Sequence, residues 1–468
     1  MPVKLKFLGG TRTVTGSMHL LQTEKSKILI DCGLFQGHRD DYYKINSHFD
    51  FDPYQLDALV LSHAHIDHSG NIPNLVKQGF NKNIYATEAT VDLCNMMLLD
   101  SAHIQQEDIK FVNKINRRKG LPLRKPLYTK GDAEKSLRLF KGKPYRKKFK
   151  LTLDIDCTFY DAGHILGSSI LFFNIRQKNK KDINLAYAVD LGREDIPILK
   201  DPEVLSKGRI DYLILESTYG GRLHGDINKA KDKLAYFVNK AAKQKGKVII
   251  PSFALGRAQE VIYFLSELMK AKRIPALPIY VDSPLTVNIT DVFKRHLECF
   301  DEEARLLVYH AESPFDIKNL YYVNRVQDSK KLNRDPKSMI IISASGMCET
   351  GRILHHLKNN IEDKRNVIII VGYMAQNTLG KRLVERERKV RIFGEEYSLK
   401  AEVGVINAFS AHADKDELIK YVKMNNHSIK RIFVVHGDED QSEKLQESLT
   451  KCKFKSYLPK LKEEVILD

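Results

Sequence analysis

The chain has 468 residues, 76 Lys+Arg against 59 Asp+Glu, and a formal net charge of +17 at pH 7. With 43% hydrophobic and 29% charged residues it has the make-up of a globular protein of two or three domains. That excludes a disordered chain, a collagen-like fibre and a disulfide mini-protein. No apolar run reaches the roughly 18–20 residues of a membrane span, and the N-terminal stretch meets Gly9-Gly10 too early to hold a signal-peptide core.

Short strands are expected first, at Val3–Leu8, His19–Thr23 and Lys27–Asp31, with turns at Gly9-Gly10 and Thr15-Gly16-Ser17. Another apolar strand is predicted at Ala58–Ser62, and helical spacing follows at Asn71–Gln78 and Ala89–Ser101. Thr129-Lys130-Gly131-Asp132 reads as a capped helix start leading into Ala133–Phe140. Strands return at Leu151–Tyr160, Ser169–Ile175, Leu185–Val189 and Tyr212–Leu215, which suggests a layered α/β sandwich. From about Thr218 strands and helices alternate. Lys247–Ile250, Ile279–Val281, Met339–Ser343 and Val367–Val371 are the strands; Arg257–Met269 and Leu285–His296 are helices. That rhythm predicts a parallel sheet with crossover helices. After Lys400 short strands at Ala401–Ala408 and Arg431–Val435 resume the earlier pattern. The expected plan is one domain, 1–213, interrupted by an insertion, 214–400, and completed by 401–468.

The six cysteines (Cys32, Cys94, Cys157, Cys299, Cys348, Cys452) are scattered without a C-x-x-C pair. This argues against a structural zinc or redox motif and for a reducing, cytoplasmic setting. The positive balance favours a polyanion, nucleic acid or an anionic membrane surface. Most of it lies between Lys110 and Lys150, where sixteen Lys/Arg face two acids, Asp132 and Glu134. A charge run is as readily a solvated helix face as a binding surface.

The strongest chemical signal is Leu61-Ser62-His63-Ala64-His65-Ile66-Asp67-His68, directly after an apolar strand. Imidazole and carboxylate donors suit Zn2+, and alternate residues of a loop can serve two neighbouring centres. Further ligands are expected at other strand ends: His164 after the strand ending near Tyr160, Asp190 after Leu185–Val189, and His436 after Arg431–Val435. Each alone is more often a structural hydrogen-bonder; together they complete two centres with an open bridging position.

These residues resemble the five motifs of the metallo-β-lactamase superfamily, at Asp31, His63–His68, His164, Asp190 and His436. More narrowly the chain resembles the β-CASP branch of nucleic-acid nucleases, which inserts a second domain before the last metal-site histidine. The branch's acidic motif corresponds to Glu216 in Leu215-Glu216-Ser217-Thr218-Tyr219, its second to His412 in Phe409-Ser410-Ala411-His412-Ala413-Asp414, and its third to His436. The third motif is a histidine in RNA-acting members and a valine in many DNA-acting ones. Within the branch the chain is similar to the endonuclease subunit of the eukaryotic mRNA 3′-end cleavage machinery and its bacterial and archaeal relatives. Neither an N-terminal KH-type extension nor a long C-terminal domain like that of ribonuclease J is expected; the first departure bears on sequence preference and the second weakens a 5′-exonuclease reading.

The resemblance implies an αββα metallo-β-lactamase sandwich with an inserted parallel-sheet α/β β-CASP domain, an RNA cleft between the two, and cleavage of single-stranded RNA. One zinc would take His63, His65 and His164, and the other Asp67, His68 and His436. Asp190 and a hydroxide would bridge the two Zn2+ ions, activating water and stabilising charge on the phosphoryl group. Asp31 would hold a ligand or its loop in place. The resemblance assigns His412 to protonating the leaving 3′-oxygen, with Glu216 as its hydrogen-bond partner. The bland role for His412 is to cap a helix starting near Asp414, which Ser410 or Asp414 would fill as well.

Two glycine-bearing turns follow strands of the insertion. Ser343-Ala344-Ser345-Gly346-Met347-Cys348 runs on to Arg352, and the second is Gly372-Tyr373-Met374-Ala375-Gln376-Asn377-Thr378. Backbone N–H groups can approach phosphate at such turns, and both resemble stretches that line the family's RNA cleft. Ser345, Gly346, Met347, Gln376, Thr378, Arg352 and Arg257 are therefore the expected substrate contacts. Neither turn has Walker spacing, and the aromatic residues form no RNP-like stacking motif. The alternatives are a DNA-acting nuclease, disfavoured by His436, a small-molecule metallo-hydrolase on the same fold, and an RNA-binding scaffold without activity. The full ligand set argues against the scaffold. A membrane partner has no support, and a homodimer is left open.

Overall fold

The computed structural model describes residues 2–468 except His38, 206–208, Tyr373, 375–377 and 426–428. Its contacts divide the chain into two compact units. One comprises Met1–Asp195, Asp201–Leu223 and His412–Asp468; the other comprises Ile196–Lys200 and His224–Ala411.

The first unit has two seven-stranded sheets. In the first, the strands run in the order Glu464–Leu467, Val3–Gly9, Met18–Gln22, Lys27–Ile30, Ala58–Val60, Ile84–Thr87 and Phe140–Lys143. The second runs Ser456–Tyr457, Arg431–Val434, Tyr212–Leu215, Ile183–Ala188, Ser169–Ile175, Ile155–Asp161 and Phe149–Lys150. Leu5, Phe7, Ile28, Ile30 and Val60 of the first meet Phe159, Phe173, Leu185, Tyr187, Ile214 and Phe433 of the second in one buried core. Each fully buried large apolar side chain is worth about 1.5–3 kcal/mol, so this interlayer is the main source of the unit's stability. Helices Lys415–Met424 and Glu439–Lys451 cover the outer face of the second sheet with Leu418, Val422, Leu445 and Leu449. Helices on the first sheet's side, Glu88–Lys119 and Lys130–Leu137, complete the αββα layering.

The helix expected at Ala89–Ser101 is longer. It runs Glu88–Lys119, capped by Thr87, whose hydroxyl accepts from Thr90 N–H, and stopped by Gly120 at φ +67°. Leu98, Ala102, Ile109 and Val112 carry its buried stripe onward beneath the basic side chains that obscure the pattern. The expected Thr129–Asp132 capping box is present and starts helix Lys130–Leu137.

The second unit holds a six-stranded sheet in the order Leu320–Tyr322, Ile279–Val281, Ile340–Ser343, Val248–Pro251, Val367–Ile370 and Glu402–Val405. Every pairing in it is parallel. Its central strands read Val-Ile-Ile-Pro, Ile-Ile-Ile-Ser and Val-Ile-Ile-Ile, continuous β-branched runs buried throughout, as a sheet covered on both faces requires.

Here the reading of the chain after Lys400 needs correction. Glu402–Val405 does not return to the first fold; it pairs in parallel with Val367–Ile370, and Ala401 and Val403 are buried in the insertion's own core. The return comes at His412. At the other boundary Glu216–Leu223 stay with the first unit, where Ser217 N–H donates to His436 O at 3.1 Å and Gly221 N–H to Gln441 Oε1 at 3.1 Å. No described helix is long and apolar enough to cross a membrane, and all six cysteines are unbridged.

Candidate metal centre

The second sheet of the first unit explains why the chemistry collects in one place. Ile183–Ala188, Tyr212–Leu215 and Arg431–Val434 lie side by side in parallel. The residues just past their carboxyl ends, Asp190, Glu216 and His436, therefore emerge at one edge. Ile155–Asp161 runs the same way, two antiparallel pairings removed, and sends His164 to that edge. From the first sheet, parallel strands Lys27–Ile30 and Ala58–Val60 contribute Asp31 and the His63–His68 loop. Asp31, Asp190 and His436 all take left-handed φ values, +56°, +31° and +48°. Non-glycine residues rarely adopt this conformation, and it gathers at functional sites.

Close backbone approach keeps the loops in register. Gly33 lies where a Cβ would stand 1.6 Å from Asp67 O, and a Cβ on Gly192 would stand 2.0 Å from Gly163 O. Asp67 O also accepts from Ser17 N–H at 2.8 Å, and His68 O from Cys32 N–H at 2.8 Å.

Two groups of ligand atoms converge on the two oxygens of Asp190. His63 Nε2 and His164 Nε2 lie 3.1 and 3.2 Å from His65 Nδ1, and 3.3 and 3.4 Å from Asp190 Oδ2. On the other side His68 Nε2 lies 3.1 Å from His436 Nε2, which is 3.5 Å from Asp67 Oδ2. Asp190 Oδ1 faces this second group, 3.5 Å from His68 Nε2 and 3.0 Å from His436 Nδ1. Oδ1 is buried and takes no hydrogen bond.

These distances test whether cations fit. Four ligands about 2.0–2.1 Å from a tetrahedral ion would stand about 3.3–3.4 Å apart, and the first group spans 3.1–4.0 Å. In the first group, where burial keeps His63 and His164 neutral, imidazole lone pairs aimed at one another are costly unless a cation sits among them. His63, His65, His164 and Asp190 fit one ion, and Asp67, His68 and His436 a second group of donors. Donors of this type and spacing suit metal binding.

A second layer fixes the imidazoles. Asp31, fully buried, accepts from Ser62 N–H at 2.7 Å and Ser62 Oγ at 2.8 Å, from Tyr187 OH at 2.8 Å and from His68 Nδ1 at 2.7 Å. With its Nδ1 proton committed to Asp31, His68 presents Nε2 as a lone pair. Ser62 Oγ lies 3.0 Å from His63 Nδ1 and does the same for His63. Burial pushes the His63 pKa down to about 4 and His164 well below the usual range, so both rings are neutral donors. At His68 and His436 burial also lowers the pKa, but the carboxylates together outweigh it, Asp190 with Asp31 at His68 and Asp190 with Asp67 at His436, carrying His436 up to about 10. Sequence reasoning missed Ser62 and Tyr187. Ser62 stands inside the histidine motif, but nothing local marks Tyr187, which only the sheet topology brings to Asp31.

His412 stands beside this cluster and belongs to neither group. Its Nδ1 lies 3.2 and 3.1 Å from the two oxygens of buried Glu216, and its ring centroid is 4.5 Å from that of His164. Pairing of Gly192 with His412, and Ala413 N–H to Leu191 O at 2.8 Å, ties this segment next to Asp190. Burial opposes protonation of His412, yet the Glu216 and Asp190 charges prevail and raise its pKa. The helix cap is Asp414, whose side chain accepts from Asp416 and Glu417 N–H groups, so His412 is not used for capping.

The expected substrate contacts of the second unit stand differently. Arg352 donates to Asp282 Oδ1 at 2.6 Å, to Val323 O at 3.0 Å and to Asn324 O at 2.7 Å. Asp282 also takes His356 Nε2 at 2.7 Å, so this arginine closes a buried ion-pair network and is committed. Arg257 is likewise paired with Glu260, both at most about a tenth exposed. Ser345 Oγ accepts from Glu349 and Thr350 N–H groups at 3.1 and 3.3 Å. Thr378 caps helix Leu379–Val384, and Met347 O accepts from Gly380 N–H at 3.1 Å. Gly346 packs against Phe253. Gln376 lies outside the described residues.

Comparison with known proteins agrees with the fold and the site. The metallo-beta-lactamase superfamily model matches residues 11–128 and the Beta-Casp domain model residues 258–383. A Zn-dependent metallo-hydrolase RNA specificity domain model matches residues 396–459. A Thermus thermophilus protein named ribonuclease TTHA0252 is 35% identical over 433 residues, 92% of this chain and 93% of its own. Transcription termination factor FttA of Methanosarcina mazei is 31% identical over 460 residues, 96% of this chain and 69% of its own. The solved structure of a protein of unknown function from Enterococcus faecalis has a TM-score of 0.53 at 14% identity over the whole of both chains, a likeness of fold. With both domain models matched and the ligand residues gathered at one sheet edge, the chain belongs to the β-CASP branch of the metallo-β-lactamase superfamily and is a metal-dependent hydrolase.

Proposed function

We propose that the chain is a ribonuclease that hydrolyses single-stranded RNA with two zinc ions, cutting internally and leaving 5′-phosphate and 3′-hydroxyl ends. The observation that carries this reading is the division of six ligands between the two oxygens of Asp190, with His412 poised beside them on Glu216. A relative named as a ribonuclease and a matching RNA specificity domain support RNA as the substrate. When bound, two Zn2+ ions would lower the pKa of water between them towards neutrality and draw charge from a phosphoryl oxygen.

The chain's residues do the rest. Asp190 holds the two ligand groups at a fixed separation, and Asp31 and Ser62 hold the His68 and His63 rings with Nε2 forward. Glu216 accepts a hydrogen bond from Nδ1–H of His412 and so assigns Nε2–H to protonating the departing 3′-oxygen. Of the two charges that raise the His412 pKa, Glu216 belongs to neither ligand group and favours the protonated ring.

Incubating the zinc-loaded protein with end-labelled and circular RNA tests the reading. Cutting of the circle is expected, with about two zinc ions per chain by metal analysis. An intact circle beside a degraded linear RNA would overturn internal cleavage, and intact RNA throughout would overturn the ribonuclease reading.

A further inference from the structure

In the sheet of the second unit, two neighbouring strands send the chain to opposite faces. Val248–Pro251 leads into helix Arg257–Lys270, which lies beside Ile227–Lys243. The adjacent Ile340–Ser343 leads into helix Arg352–Asn360. That helix shares a core with Ile249, Ile341 and Ile368, whereas the buried residues of the other two helices lie outside this core. Strand residues alternate between faces, so the loops leaving the two carboxyl ends part. In open α/β sheets the crevice so formed is where ligands bind.

Phe253 occupies that place. A Cβ on Gly346 would stand 2.9–3.0 Å from three of its ring carbons, and one on Gly372 would meet the ring at 3.8 Å. The ring thus lies against the bare backbone of the two neighbouring strand-end loops. Even so, 42% of Phe253 is exposed. Its backbone is fixed on both sides: Ser252 N–H donates to Ser343 O at 3.1 Å, and Gln259 Nε2 to Ala254 O at 3.2 Å. A rigid aromatic face left open to solvent costs little ordering entropy when it takes up a flat partner.

We propose that Phe253 is a stacking platform for a nucleobase, holding one base of the RNA at this crevice without reading its identity. The choice of ligand rests on the ribonuclease reading. Stacking of this kind tolerates any base, because every base has a π-face.

The sequence contains no tryptophan, so Phe253→Trp supplies a lone fluorophore that still stacks. In zinc-loaded protein carrying His412→Ala, so that RNA persists, a short oligouridylate should quench the indole saturably and inorganic polyphosphate should not. In the same background without the indole, Phe253→Ala should weaken oligouridylate binding about ten- to a hundredfold. Phe253→Leu, which still covers Gly346 but has no π-face, should weaken it comparably. Binding by either variant within twofold of the parent, or RNA retained on a filter without quenching, would overturn the platform. Quenching by RNA that the native protein leaves uncut would keep the platform and remove the ribonuclease reading. Cleavage without quenching would do the reverse.

Discussion

Around Asp190 six side chains bring metal-ligating atoms close to one another, whereas at the strand ends of the second unit the named polar side chains are already engaged. Arg352 is bonded to Asp282 and two carbonyls, Arg257 to Glu260, Ser345 to two N–H groups, and Thr378 to a helix start. The contrast separates residues kept for a ligand from residues used to build the fold. A buried donor set that is electrostatically unfavourable by itself calls for a cation, while a satisfied arginine calls for nothing. Both sets follow strands, histidines and aspartates in one region and arginine, serine and threonine in the other; what separates them is whether their partners already satisfy them.

The comparison is broken most sharply at His412, which touches the cluster without belonging to it. His412→Ala should lower RNA cleavage about 10²–10⁴-fold, the usual loss for a general acid, while metal analysis still finds zinc at the native level. Loss of zinc would make His412 a ligand and not an acid. Because His412 must carry its proton to act, the rate should fall as pH rises through its raised pKa. Glu216→Gln removes one of the charges that raise it, so the alkaline limb of the pH profile should move to lower pH. A limb that stays put would detach Glu216 from this role.

Arg352 tests the other half. Arg352→Met leaves fully buried Asp282 without its guanidinium, and breaking a buried pair of this kind costs about 3–5 kcal/mol. Urea unfolding should show a loss of that order, while the RNA affinity of the folded variant stays within twofold. A variant of native stability that no longer binds RNA would return Arg352 to the phosphate-holding role its position in the sequence suggested.

Asp31 is a smaller perturbation of the metal half. Asp31→Asn keeps the shape but removes the charge that anchors His68 Nδ1, and second-layer changes of this kind weaken metal about 10–100-fold. Chelator competition should show that loss for the ion held by His68, with the His63 group less affected. Equal loss at both would mean that Asp31 supports the whole loop.

How much of this was legible follows from the physics. The sequence marks His63, His65, Asp67 and His68 because donors crowd into a few residues at a strand end, and the structure brings Asp190 to them. The sandwich and the parallel insertion were readable because hydrophobic period and strand–helix alternation are local too. Tyr187 reaches Asp31 from another sheet, and Glu402–Val405 chooses its neighbour by pairing with Val367–Ile370; both depend on contacts distant in sequence. Arg352 shows the converse, since Asp282, seventy residues away, already engages its charge.

The basic stretch allows the finest test, since availability again decides. Arg146 is paired with Glu203 at 2.8 Å and Lys148 with Asp156 at 2.9 Å, so neutralising them removes charges already balanced. Arg117, Arg118 and Lys119 stand exposed at the end of the Glu88–Lys119 helix, with no acidic partner among the described residues. Their simplest structural use is to complement the helix dipole, which needs no RNA. If they also collect RNA, changing all three to Gln should flatten the salt dependence of binding by about 2 in d log K/d log[salt], at roughly 0.7 per phosphate contact for a single strand. Arg146→Gln with Lys148→Gln should leave the slope nearly unchanged. A larger change from the paired residues than from the exposed ones would mean that the ion pairs open when RNA binds, and that pairing in the free protein is a poor guide to which charges RNA can use.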